Sequence, residues 1–239
     1  MKLLDLSLPL PTENLALDEA LLDEREANGG EAVLRFWETT TPFVVLGYVC
    51  KVDDDVNIEE CRQRSVPILR RHSGGGTVLQ ASGVLNYALI LPIEYGTPTE
   101  NLATTNAFVM QKTRDALQAL AGDEISIRGI TDLALGHLKF CGNAQRRRRK
   151  WLLFHGAFLL DCDLHLMSAV LKLPPRQPEY RAGRGHVDFV TNLHLPNEQV
   201  KEALRTVWQA NDELLSWPQE AAAKLVAEKY SRDEWNWKF

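Results

Sequence analysis

An α+β fold built as one domain is what this sequence predicts, and three observations predict it. Short runs rich in Val, Leu, Ile and aromatic residues recur between turn residues, which is the pattern of strands. Longer segments with apolar residues at near-helical spacing interrupt and follow those runs. No internal repeat, low-complexity tract or long linker divides the 239 residues, so residues 1–239 read as one domain with a helical C-terminal segment over about 197–239.

In chain order, Thr12 is placed to cap a helix that carries Leu15, Leu17, Leu21 and Leu22, and Gly29-Gly30 stops it. Strands are expected at Ala32 to Trp37, Phe43 to Tyr48, Pro67 to His72 and Asn86 to Leu91, with a short helical stretch from Asn57 to Arg64. Thr99 opens a long helix whose residues Leu102, Phe108, Val109, Leu117 and Leu120 recur until Gly122. Ile125 to Arg128, Asp132 to Leu135, Leu138 to Ala144 and Trp151 to Leu160 read as a second run of strands with tight turns. Asn197 to Leu215 and Pro218 to Tyr230 read as surface helices, and Trp235-Asn-Trp237 as a docked end.

Composition narrows the function classes. An apolar content of 45% with 25% charge is ordinary for a globular protein, and a net charge of −5 argues against general nucleic-acid binding. No apolar run approaches the ~20 residues of a membrane span, and Asp5, Pro9 and Pro11 interrupt any signal peptide. Cys50, Cys61, Cys141 and Cys162 show no C-x-x-C spacing, so no metal site or redox pair is indicated, and free thiols fit a reducing compartment. The expectation is a cytoplasmic, monomeric protein without a membrane or nucleic-acid partner.

Arg70-Arg-His-Ser-Gly-Gly-Gly-Thr-Val78 is the most informative stretch. A strand delivers Arg70 and Arg71 to the sheet edge, and Gly74, Gly75 and Gly76 let the backbone approach a ligand and turn N–H groups toward one point. Arginine adds a planar fork suited to carboxylate or phosphate. An ordinary glycine-rich hairpin is the competing reading. The loop lacks the Gly-Lys-Ser/Thr ending of a Walker motif, and Asn86 to Leu91 beyond it reads as strand rather than helix.

A second constellation is Leu138-Lys-Phe-Cys-Gly-Asn-Ala-Gln145 followed by Trp151-Leu-Leu-Phe-His-Gly156, read as a hairpin. Alternation along a strand places Lys139 and Cys141 on one face and Phe140 on the other. An ammonium beside a thiol stabilises the thiolate. The alternative is that Cys141 is a small buried hydrophobe and Lys139 a snorkelling charge. His155 reads either as a hydrogen-bonded core residue or as a proton carrier, as does His72.

Taken together, these motifs resemble the lipoate-protein ligase and octanoyltransferase superfamily. Asn14-Leu-Ala-Leu-Asp-Glu-Ala-Leu-Leu22 is similar to its first helix, Arg70 to Val78 to its ligand loop, and Lys139-Phe-Cys-Gly-Asn-Ala-Gln145 to its lysine motif. His155-Gly156, Tyr180-Arg181 and Phe189-Val-Thr-Asn-Leu193 follow in order, so the likeness spans roughly residues 10 to 195. The resemblance implies a biotin and lipoate ligase-type catalytic domain, a large mostly antiparallel or mixed sheet packed by helices. No Gly-Arg-Gly-x-x-Gly-Arg-x-Trp loop supports a biotin ligase.

Two chemistries are implied by that family. A ligase activates free lipoate with ATP and magnesium as a lipoyl-adenylate. A transferase takes octanoyl from acyl carrier protein, or an acyl group from a lipoyl domain, and holds it as a cysteine thioester. The Lys-x-Cys-Gly pattern resembles the transferase branch, which needs no cofactor. The expected mechanism therefore has Cys141 as nucleophile and Lys139 lowering its pKa and stabilising the oxyanion. Arg71, Ser73, Gly74, Gly75 and Gly76 shape the acyl site with His155 in support, and Arg70 is less certain. The acceptor is a lysine of a lipoyl-domain protein, such as glycine cleavage H protein or a dehydrogenase E2 subunit. A non-catalytic module is disfavoured, since both motifs are intact. Arg146 to Lys150 is either a solvated turn or a basic patch that steers these acidic partners.

Overall fold

The computed structural model describes residues 1–239. Strand β1 (Lys2–Asp5) leads to helix α1 (Pro11–Asn28), then β2 (Val33–Glu38) and β3 (Phe43–Leu46). Short helices α2 (Val52–Asp55) and α3 (Ile58–Gln63) precede β4 (Ile68–Arg70), β5 (Val78–Gln80) and β6 (Val84–Pro92). Helix α4 (Leu102–Gln118) is followed by β7 (Ile125–Arg128), β8 (Asp132–Leu135), β9 (Leu138–Arg147) and β10 (Trp151–Leu159). The remainder is α5 (Leu164–Val170), α6 (His186–Phe189), α7 (Asn197–Trp208), β11 (Asp212–Glu213), α8 (Gln219–Leu225) and α9 (Asp233–Asn236).

Eight strands form the main sheet in the order β11-β1-β2-β6-β10-β9-β8-β7, and β4-β3-β5 form a small second sheet. Both pairings of β1 are parallel and the other pairings of the main sheet are antiparallel, so the sheet is mixed. One face buries Phe154, Phe158 and Leu89 against Val109, Met110 and Leu204 of α4 and α7. The opposite face buries Ala88, Ile90 and Leu153 against Leu17, Leu21 and Ala222 of α1 and α8. The small sheet packs its own core, including Val44 and Leu46, against Met167 and Val170 of α5. No helix is long and apolar enough to cross a membrane.

Most element boundaries shift by a few residues from the sequence reading, and several shifts have a clear cause. Thr12 does not cap α1. The helix starts at Pro11, whose missing N–H suits the first turn, and Glu13 Oε2 accepts from the Leu10 N–H at 2.9 Å. Asn101, not Thr99, caps α4, its Oδ1 accepting from Thr104 N–H at 3.0 Å. Helix α7 ends at Trp208 rather than Leu215, because Gln209 takes left-handed angles and Asp212-Glu213 joins the edge of β1. Gly29 at φ 71 does end α1.

Candidate active site

Arg70 and Arg71 leave β4 in different directions. Arg70 is fully buried and does not face a ligand. Its guanidinium donates to the carbonyls of Gly47, Tyr48 and Cys50 at 3.0, 3.2 and 2.7 Å, and to those of Trp235 and Asn236 at 3.1 Å each. It fastens the turn after β3 to the C-terminal end, which is the docked end expected for Trp235 to Trp237. Arg71 turns to a cavity of about 530 Å³, a volume suited to a small ligand.

The glycine loop closes around that second arginine. Arg71 Nη2 donates to the carbonyls of Gly74 and Gly76 at 2.6 and 2.7 Å, and Nε reaches Ser73 Oγ at 3.1 Å. Burial lowers the Arg71 pKa to about 10, so it stays charged near neutral pH. The carbonyls of Gly74 and Gly76 thus point at the protein's own cation, so Arg71 fastens the loop as well as bordering the cavity. Gly75 takes φ +83, and its carbonyl lies so near Gly47 that a Cβ there would be 1.9 Å away. Gly76 lines the cavity together with Arg71, whereas Ser73, Gly74 and Gly75 build the loop behind it.

Lys139 borders the same cavity. Its Nζ is 2.7 Å from Asp132 Oδ1, and Asp132 Oδ2 accepts from Tyr180 OH at 2.8 Å. Both Lys139 and Asp132 line the cavity. The ammonium reaches back over Gly142, where a Cβ would sit 2.7 Å from Nζ. The backbone is clamped too, the Lys139 carbonyl accepting from Thr191 N–H at 2.9 Å.

Cys141 does not share that face, and the expected Lys139-Cys141 pair is not formed. A bulge displaces the β8–β9 register: Leu133 pairs with Cys141 but Ala134 pairs with Lys139, so Phe140 is an extra residue and alternation restarts beyond it. Gly142, Asn143 and Ala144 line the cavity, and Cys141 lies on the face of Asn143 and Tyr87, one residue pair beyond the cavity lining and beside Phe158, its partner on β10. The thiol lies 3.5 Å from Asn143 Nδ2 and is 1% exposed. Burial pushes its pKa far above the ordinary range, against smaller downward pulls from Asn143 and Lys139. The small-hydrophobe reading of Cys141 is the one its surroundings match.

His155, on β10 opposite Ala144, does border the cavity. Its Nε2 is 2.6 Å from Ser73 Oγ and its Nδ1 is 3.4 Å from Asp18 Oδ2. Asp18 is in turn bonded by Arg35 Nη1 at 2.5 Å, and Arg35 is fully buried. Burial pushes the Asp18 carboxyl upward, but Arg35 and His155 together hold it below its usual value. His72 is kept out of the cavity. It packs beside Tyr230 OH at 3.3 Å, and burial, with His155 and Lys229 nearby, holds its pKa well below the usual value.

The sequence reading missed Asp18 and Asp132. Asp18 carried a signal, because an acidic pair, Asp18-Glu19, interrupts the apolar face of α1, and a carboxylate there needs a buried partner. Asp132 carried none, since its meeting with Lys139 depends on the bulge. The basic turn is partly spoken for: Arg147 donates to the carbonyls of Thr99 and Glu100 at 2.8 Å, and Arg148 Nη2 meets Asp23 at 2.6 Å. Arg149 and Lys150 remain exposed. No group of three His, Cys, Asp or Glu side chains is arranged to hold a metal ion.

Comparison with known proteins places this geometry. A family model described as the lipoyl protein ligase A/B catalytic domain matches residues 10–209. The octanoyltransferase LipM of Carboxydothermus hydrogenoformans is 30% identical over 95% of this chain and 94% of its own length. Lipoate-protein ligase A subunit 1 of Thermoplasma acidophilum is 27% identical over 93% of this chain and 90% of its own. A solved structure of the bi-partite lipoate protein ligase of Thermoplasma acidophilum, studied with its E2 lipoyl domain, shares the fold at a TM-score of 0.83, covering 99% of this chain and 95% of that one at 24% identity.

Proposed function

Since the chain belongs to the lipoyl protein ligase A/B catalytic domain family, we propose that it joins an octanoyl or lipoyl group to a lysine of a lipoyl domain, with Lys139 at the acyl carbonyl and no resting place on Cys141. One observation carries the reading: of the two chemically able residues in the β9 motif, the cavity is lined by Lys139 and not by Cys141.

The chemistry follows from that placement. The acyl carbonyl sits within reach of Lys139 Nζ, which donates to the oxygen as the target amine adds to the carbon and negative charge builds there. Asp132 and Tyr180 hold the ammonium in place, so little reorganisation is needed as the charge develops. The donor's leaving group departs with the bonding electrons, and the amide remains on the lipoyl domain. The expected acyl-Cys141 step would need the thiol, 1% exposed behind Asn143, to become accessible from the cavity that Asn143 lines. The transferase route therefore reads as direct transfer from an acyl thioester, with acyl carrier protein as the donor.

A second reading has its own support. Arg71, Lys139, Lys172, Arg176 and Arg181 line the cavity together with the carboxylates of Asp18, Asp55, Asp132 and Glu179, and the cations among them suit the phosphate of an acyl-adenylate formed from lipoate and ATP. The test incubates the protein and an apo lipoyl domain with octanoyl-acyl carrier protein, or in parallel with lipoate, ATP and magnesium, and follows the lipoyl domain by intact mass. Gain of an acyl group from the carrier protein, lost in Lys139→Met, supports the transferase. Gain only with lipoate and ATP selects the ligase. No acylation from either donor overturns both.

A further inference from the structure

We propose that His155 is the base that takes a proton from the target lysine ammonium and so frees its amine to attack, with Asp18 and Arg35 as the buried groups that position it. The inference rests on the acyl-transfer reading above and adds a residue role to it. Forming the amide requires the target lysine ammonium to lose one proton before its nitrogen bonds to the acyl carbon, the carbon to release the donor's leaving group with its electron pair, and the nitrogen to lose a second proton, which departs on that leaving group. Lys139, held as a donor to the carbonyl, is placed to stabilise the oxygen rather than to take the first proton.

His155 has the geometry of a base with an orienter. Its ring borders the cavity with 14% of the side chain exposed, Nδ1 faces Asp18 Oδ2 at 3.4 Å, and Nε2 faces Ser73 Oγ at 2.6 Å. Nucleophile-activating bases are recognised by this arrangement, a ring nitrogen at a small polar partner and the other nitrogen on a carboxylate. Ser73 is not the nucleophile here, because it is fully buried and already accepts from Arg71 Nε at 3.1 Å. Its hydroxyl holds the ring until the incoming lysine replaces it as the partner of Nε2. The proton then passes from the lysine ammonium to Nε2, freeing the amine to attack, and the Asp18 carboxylate stabilises the resulting imidazolium.

Asp18 is built for that one task. It is 2% exposed, and one oxygen faces His155 while the other is bonded to Arg35 Nη1. Arg35 is itself clamped by Asn14 Oδ1 and the Asn14 carbonyl at 2.9 Å each. The ion pair is thus fixed on two elements, α1 and β2, and does not move with the glycine loop. It balances the carboxylate charge while leaving one oxygen free for the ring.

Hydroxylamine separates a base from a structural strut, because it is already neutral near neutral pH and needs no deprotonation before attack. Rates of acyl transfer to the apo lipoyl domain and to hydroxylamine are measured side by side in the native protein, His155→Gln and Asp18→Asn. The expected result is a loss of at least ~100-fold toward the lipoyl domain in His155→Gln, as removal of a general base costs, with hydroxamate formation within about threefold of native. Hydroxamate formation also reports that each variant is folded, so a misfolded Asp18→Asn leaves His155→Gln to decide. A parallel fall in both rates, or no fall in either, overturns the role of His155. Failure of the native protein to acylate either acceptor overturns the acyl-transfer reading itself, and this role with it.

Discussion

Lys139 Nζ and Gly142 are in such close apposition that a single methyl group on Gly142 would lie 2.7 Å from the ammonium. Because the obstructing atom is the end of a flexible side chain, Gly142→Ala moves Lys139 rather than the backbone. The expected outcome is a fall of roughly 10- to 100-fold in transfer rate, since a displacement of about 1 Å at a reacting centre costs that much, with unfolding stability changed by less than ~1 kcal/mol. Steady-state rates and urea unfolding of the same variant check both halves.

Arg70 supports the fold and not the substrate. Its five donated bonds to backbone carbonyls tie β4 and the turn after β3 to the C-terminal residues Trp235 and Asn236. Arg70→Met leaves those carbonyls buried without donors and is expected to lower stability by about 3 kcal/mol. Limited proteolysis should then cut first beyond Tyr230, where the lost anchors lie.

Acid sensitivity follows from His186. Burial, with Arg181 alongside, lowers its pKa to about 4 from 6.5. Between those values the unfolded chain binds a proton that the folded protein refuses, so stability falls as pH drops through that window and levels off below it. The loss is about 3 kcal/mol at most. His72, also held well below its usual value, adds to it in the same direction. His186→Gln should flatten the dependence of the melting temperature on pH between 6.5 and 4; an unchanged slope would show that the acid response lies elsewhere.

The basic turn divides by residue. Arg148 is paired with Asp23, and the Glu26 carboxylate accepts the N–H groups of Arg149, Lys150 and Trp151 at 2.9 to 3.2 Å. Reversing charge at Arg148 should therefore cost stability. Reversing it at exposed Arg149 and Lys150 should instead slow transfer to an acidic lipoyl domain several-fold at low salt and little at high salt, because steering is screened beyond about 10 Å at 0.1 M. Salt series of the initial rate in the double variant test the difference.

Much of this was legible in the sequence for a physical reason. The apolar runs of β2, β6 and β10 and the spacing of α1 and α4 announce local structure, because a buried face fixes the period of its own residues. Lys139, Arg71, Gly76 and His155 do meet at one cavity, as their motifs suggested. The face of Cys141 was not legible, since strand alternation holds only while the ladder is unbroken and nothing local marks the bulge at Phe140. Nor was the inward turn of the Gly74 and Gly76 carbonyls, which depends on the direction taken by Arg71.

The sharpest test of the site is the transfer rate of Cys141→Ser. If Cys141 is a packing residue on the α4 face, acylation of the lipoyl domain proceeds within about threefold of native and no acyl adduct on the enzyme depends on that thiol. A loss of at least ~100-fold, with an enzyme-bound acyl mass that disappears in the serine variant, would contradict this and return the reaction to a covalent cysteine route.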